Sequence, residues 1–73
     1  MTDIPYESDD LALVDHYVMQ TKQRLTEQAY RIQQITIAGH STAQAEETFR
    51  GMQKTLSGIR AFREQILFDL LGQ

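Results

Sequence analysis

The amino-acid sequence predicts an all-α fold, an antiparallel two-helix hairpin of coiled-coil character that dimerises into a four-helix bundle. Apolar residues recur every seven residues in both halves of the chain, as they do in packed helix pairs. A Gly-His-Ser-Thr stretch interrupts this pattern at residues 39–42. The chain has 73 residues and no cysteine, so one hairpin buries little core and self-association is the expected supplement.

The N-terminal segment, MTDIPYE, contains the single proline and shows no helical periodicity, so we expect a flexible arm over 1–7. Ser8 is suited to cap a helix. Asp9 and Asp10 then fall in the first turn, where the helix dipole favours negative charge. Neither glycine nor proline follows before residue 39, and a helix is therefore predicted over 8–38.

Two heptad rows form the packing seam of this first helix. One row is apolar throughout and consists of Leu11, Val18, Leu25 and Ile32. The other row consists of Val14, Thr21, Gln28 and Ile35. Because two members of the second row are polar, the predicted apolar seam is incomplete.

The break between the helices has the residues of a helix stop and a helix start. Gly39 is suited to the left-handed conformation that ends a helix. Ser41 or Thr42 is suited to cap the next helix, and Ser41 and Gln44 have the spacing of a capping box. So short a connection forces the helices to run antiparallel. The predicted turn consists of three residues: Gly39, His40 and Ser41.

The second predicted helix, 42–71, repeats the heptad rows. One row consists of Phe49, Leu56, Arg63 and Leu70, and the other of Ala45, Met52, Ile59 and Ile66. Folding the chain about 40–41 brings the apolar rows together and sets Arg63 near Val18, one turn from Asp15. Two readings of Arg63 remain open: it pairs with Asp15 across the helices, or it extends its head group into solvent.

The apolar stripe widens at the open end of the hairpin, beyond what one partner helix covers. We predict an interface there that consists of Leu13, Tyr17, Met19, Phe62, Ile66, Leu67, Phe68 and Leu71. These residues form the interior of a four-helix bundle, a docking surface for another protein, or a C-terminus without a special role. Gly51 and Gly58 either permit close approach of a neighbouring helix or have no role.

Composition and residue spacing argue against most other functions. The formal charge is −3, whereas nucleic-acid binding depends on clustered Lys and Arg. No apolar run approaches the roughly 20 residues of a membrane span, and the acidic start does not resemble a signal peptide. We expect a cytoplasmic protein that binds neither nucleic acid nor membranes.

Catalytic, cofactor-binding and metal-binding residues are not expected. His40 lies beside two hydroxyls, but a hairpin loop supplies neither an orienting carboxylate nor the walls of a pocket. His16 has Gln20 at i+4 and lacks the spacing of a helical metal site. Glu46 and Glu47 are neighbours that point in different directions and are interpreted as helix-start charges. The sequence therefore predicts a protein that is not an enzyme.

The segment from His16 to Leu67 resembles a group of short helical-hairpin proteins that are common in alphaproteobacteria. The resemblance is carried by Arg24, Gln28, Ile32, Ile35, Gly39, His40, Ser41, Thr42, Ala45 and Glu46. It implies the hairpin fold and no particular activity. In architecture alone the chain is also similar to the Spo0E-like aspartyl-phosphatase regulators. Their Ser-Gln-x-Leu-Asp signature is absent, since the second helix reads TFRGMQKTL where it would be expected.

These observations lead to three hypotheses. The first is a non-enzymatic interaction module that forms a homodimer through its apolar open end. The second is a regulator that binds a signalling protein, such as a histidine kinase or a response regulator, through the same end. The third is a phosphatase that acts on aspartyl phosphate.

Overall fold

The computed structural model describes residues 8–72, which form the predicted helical hairpin. The first helix, α1, spans Ser8–Ile37 and the second, α2, spans Ala43–Leu71. Helix α1 ends one residue earlier than predicted, and α2 begins one residue later. The predicted arm, 1–7, lies outside the described residues.

The turn ends α1 in the way that its glycine predicts. Gly39 has a φ of 78°, the left-handed conformation that glycine adopts without steric cost. Its N–H donates to the carbonyl of Thr36 at 3.0 Å, and the N–H of His40 donates to the carbonyl of Ile35 at 3.1 Å. These two bonds are the Schellman motif, which satisfies carbonyls that have no partner within the helix. The prediction for Gly39 is confirmed.

The start of α2 differs in detail from the prediction. Thr42 is the N-cap residue and makes no side-chain capping bond, although its carbonyl accepts the N–H of Glu46 at 2.8 Å. Ser41 lies one residue earlier and accepts the N–H of Ala43 at 3.3 Å. The predicted capping box between Ser41 and Gln44 does not form, because Ser41 is not at the capping position. Helix α1 likewise already includes Ser8, the predicted N-cap.

Alanine substitutions at two glycines are expected to have opposite effects on stability. Gly39→Ala places a Cβ in the left-handed region and should lower the free energy of unfolding by about 1 kcal/mol. Gly51→Ala, within α2 and with open space around its Cβ, should raise it by about 0.5–1 kcal/mol. Urea unfolding of the two variants at one protein concentration measures both changes. Equal effects would contradict the assigned turn.

Burial along the chain follows the predicted heptad rows. Every predicted row position of α1 and α2 is buried or half-buried. The buried hydrophobic residues among the described ones are Val14, Leu56 and Ile66, and the buried polar residues are Thr21 and Gln28. The polar members of the second α1 row are thus parts of the seam rather than gaps in it.

Gln28 joins the two helices near the turn. Its Nε2 donates to the backbone carbonyl of Ala45, in the first turns of α2, at 3.0 Å. This bond satisfies a buried side-chain amide, which would otherwise be costly. A single polar group at a seam position is also a common way to fix the register of packed helices.

The hairpin is long and thin, because α1 has 30 residues and is therefore about 45 Å long. Ile66 is the one described residue with a fully buried large side chain. Two helices therefore supply a narrow core and leave much apolar surface uncovered.

Candidate functional site

An apolar groove opens between the helices near the open end of the hairpin. It has a volume of about 310 Å³. Its lining consists of Asp10, Leu13, Val14, Tyr17, Ile59 and Phe62. We call the side of the hairpin that carries this groove the groove face.

Helical spacing explains how these side chains meet. Leu13 and Tyr17 are four residues apart on α1 and point to the same side. Phe62 extends over the seam from α2, three residues beyond Ile59. The three walls, Leu13, Tyr17 and Phe62, are 52%, 47% and 45% exposed. Val14, which is buried, lines the floor.

Three residues of the predicted interface line the groove, and the other members of that interface lie elsewhere. Leu13, Tyr17 and Phe62 lie together on the groove face. Met19 lies on the opposite side of the hairpin, beside Asp15. Phe68 is strongly exposed but does not line the groove.

Two further members of the predicted interface contribute less surface than the sequence indicated. Ile66 is 0% exposed, so it belongs to the core of the hairpin and is not available to a partner. The reason is its place in a heptad row, which turns it toward α1. Leu67 is half-buried, whereas Leu71, near the end of α2, is strongly exposed.

The sequence pattern did not identify two exposed apolar residues of α1 near the turn. Tyr30 and Ile37 are both strongly exposed on α1. They are seven residues apart and lie on one outer row of the helix, away from the seam. The spacing that would have revealed them is the heptad itself, applied to the outer positions rather than to the seam.

The side of the hairpin opposite the groove face carries an ion pair. Arg63 Nε donates to Asp15 Oδ1, which confirms the pairing that was one of the two readings of Arg63. An open cleft of about 550 Å³ surrounds the pair, and its lining also includes Lys22, Arg60 and Glu64. We call this side the ion-pair face.

The Arg63–Asp15 pair joins the first half of α1 to the second half of α2. The Gln28–Ala45 hydrogen bond joins the other ends of the same helices. Each contact pairs an early residue with a late one, as antiparallel helices require. The two contacts together fix the register over most of the hairpin.

The ion pair is expected to contribute about 0.2–1 kcal/mol to stability, because both side chains are more than a third exposed. A double-mutant cycle with Asp15→Ala, Arg63→Ala and the double variant measures this coupling energy by urea unfolding. The coupling should shrink in 1 M salt. A coupling energy near zero at low salt would show that the pair does not hold the register.

The turn residues form no enclosed site. His40 and Ser41 are exposed, and Ser41 lines an open, mainly polar cleft of about 380 Å³ with residues such as Gln28, Arg31 and Gln44. Within residues 8–72, no three or more His, Cys, Asp or Glu side chains are placed to hold a metal ion. Neither described helix combines the length and the apolar character that crossing a bilayer requires.

Comparison with known proteins adds no family to this description. No family model, curated protein or solved structure matches the chain. The resemblance to alphaproteobacterial hairpin proteins and to Spo0E-like regulators therefore stays a prediction from the sequence.

Proposed function

We propose that this protein is a small, non-enzymatic interaction module that self-associates through the apolar open end of its hairpin. The observation that carries this function is the groove between Leu13, Tyr17 and Phe62, whose three apolar walls are each about half exposed. Contiguous apolar surface of this kind on a small protein marks a protein-binding site.

The thin core supplies the physical reason for self-association. Among residues 8–72, the buried hydrophobic residues are Val14, Leu56 and Ile66. The free energy gained from burying so few side chains is small against the conformational entropy of ordering two long helices. A second molecule that covers the groove face adds apolar burial without lengthening the chain.

The dependence of thermal stability on protein concentration tests this function. A dimer that is linked to folding becomes more stable as its concentration rises, whereas a monomer does not. Circular dichroism melts at about 5 µM and about 500 µM should therefore give a clearly higher Tm at the higher concentration. An unchanged Tm, together with a full helical signal at the low concentration, would contradict self-association.

A second candidate function is the regulation of a signalling protein, for which a second apolar surface is available outside the groove. Phe68 and Leu71 are 74% and 81% exposed and do not line the groove. A partner seated on the groove would therefore leave them available. An amphipathic helix from a histidine kinase or a response regulator is the kind of partner that such a surface fits.

Titration against purified kinase dimerisation domains and receiver domains tests this second function. Phe68→Glu should abolish binding of a domain that the unmodified protein binds. Tyr17→Glu, at a concentration where its circular dichroism signal remains helical, should leave that binding in place. Loss of binding with Tyr17→Glu alone would assign the signalling partner to the groove instead. Any acceleration of aspartyl-phosphate loss from a receiver would point to the phosphatase hypothesis.

A further inference from the structure

We infer that the groove is occupied by a second copy of this chain, and that the two hairpins are antiparallel about a two-fold axis at the level of Tyr17 and Phe62. This arrangement rests on the self-association proposed above and specifies its geometry. In it, Asp10 of each copy lies beside Arg24 of the other.

The exposed area of the chain matches what such a contact requires. The chain exposes 5758 Å², whereas a compact monomer of 8.4 kDa exposes about 4600 Å². The excess, about 1150 Å² for the chain as a whole, exceeds the roughly 800 Å² that each partner contributes to a stable interface. The exposed area is therefore sufficient for a contact with a second copy.

The charged and aromatic residues of the groove face lie in rows with a spacing of seven residues. One row of α1 on this face consists of Asp10, Tyr17, Arg24 and Arg31. The corresponding row of α2 consists of Thr48, Thr55, Phe62 and Asp69. The open end of the face thus carries two carboxylates, and its middle is aromatic. Its turn-side half carries Arg24 and Arg31, with Glu27 on the flank between them at the heptad position of Leu13.

An antiparallel dimer makes this arrangement complementary to itself. Asp10 and Arg24 lie seven residues before and after Tyr17, about 10 Å along the helix in each direction. A two-fold axis at Tyr17 exchanges these two levels, so the Asp10–Arg24 contact forms twice in the dimer, once for each copy. The aromatic walls of the two grooves then pack against each other at the centre.

A parallel dimer places like charges together. If the two open ends lie side by side, α1 of one copy faces α2 of the other. Asp10 then lies near Asp69 of the partner subunit, because both occupy the open end of the groove face. Asp69 accepts a hydrogen bond from Gln65 of its own helix at 3.1 Å. Like charges that face each other across an interface favour the other orientation.

The backbone of α2 also leaves room for a neighbour at this level. Gly58 lies one turn before Phe62 and therefore on the same side of the helix. Nothing lies within 4 Å of the position that a Cβ would take there. Of the two roles considered for Gly58, close approach of a neighbouring helix is the one that this dimer uses.

Charge reversal tests the pairing of Asp10 with Arg24. Asp10→Arg and Arg24→Glu should each weaken the dimer about 10-fold, and the double variant should return to within about 3-fold of the unmodified protein. Two matched controls are Asp9→Arg, in the same first turn of α1, and Arg60→Glu, on the ion-pair face. Neither control should change the dissociation constant by more than about 3-fold.

The distance between the two turns tests the orientation directly. The chain has no native cysteine, so Ser41→Cys provides one spin-label site per copy in the exposed turn. Residue 41 lies 24 residues, or about 36 Å along the helix, from Tyr17. In the antiparallel dimer the two labels lie on opposite sides of the axis, so pulsed electron paramagnetic resonance should give a separation of about 70 Å.

Each outcome of the distance measurement and the charge-reversal experiment bears on a different claim. A separation below about 30 Å would show the parallel dimer and overturn this orientation, while self-association would stand. A 70 Å separation without recovery in the double variant would overturn the Asp10–Arg24 contact alone. A monomer at every concentration would contradict self-association itself and leave the groove to a different protein.

Discussion

Replacing Ile66 with alanine is expected to lower the free energy of unfolding by about 3 kcal/mol. Ile66 is 0% exposed and is the one fully buried large side chain among residues 8–72. Truncating such a side chain loses its burial and leaves a cavity that a narrow two-helix core closes only in part. Urea unfolding, followed by circular dichroism at a fixed protein concentration, measures the change.

Ile37 provides a matched control for this substitution. It is the last residue of α1 and is strongly exposed. Ile37→Ala should therefore change the free energy of unfolding by about 0.5 kcal/mol or less. If both alanine variants lost the same stability, Ile66 would not be the centre of the core.

Replacing Tyr17 with glutamate is expected to weaken the dimer about 100-fold or more. Tyr17 forms one wall of the groove, and aromatic residues at the centre of an interface carry most of the binding energy. A carboxylate at the same position would have to lose its hydration when the groove is covered. Sedimentation equilibrium over a range of protein concentrations measures the dissociation constant.

Tyr30→Glu is the control for Tyr17→Glu. Tyr30 is also exposed on α1, but it lies on the outer row near the turn and does not line the groove. This variant should keep the dissociation constant within about 3-fold of the unmodified protein. Equal weakening by both glutamates would place the contact outside the groove face.

Much of the fold was predictable, because helix periodicity and helix-stop chemistry are local properties of a sequence. The heptad rows predicted the seam, and Gly39 predicted the end of α1. The register that follows from a short turn also placed Arg63 one turn from Asp15, but it left open whether Arg63 pairs with Asp15 or extends into solvent, and the structure shows the pair. Local signals were less exact at the start of α2, where Ser41 and Thr42 compete for one capping position.

The candidate site was predictable in composition but not in shape. An excess of apolar residues near the end of α2 correctly indicated exposed surface at Phe62, Phe68 and Leu71. It did not separate Ile66, which a heptad row turns inward, from its exposed neighbours. Nor did it show that Met19 lies on the ion-pair face, since that depends on which side of the seam each outer position takes.

Gln28 shows a further limit of sequence reasoning. In the sequence, the polar side chain of Gln28 made the apolar seam incomplete. In the structure, its amide donates a hydrogen bond to the backbone carbonyl of Ala45. A backbone acceptor has no residue signature, so a spacing pattern does not reveal it. The position becomes interpretable only when the helices are placed side by side.

Light scattering after gel filtration tests self-association most directly. At about 100 µM the protein should elute with a mass of about 17 kDa, twice the 8.4 kDa of one chain. Tyr17→Glu at the same concentration should elute with the mass of a single chain. A folded species of 8.4 kDa for the unmodified protein would contradict the dimer and the function proposed for the groove.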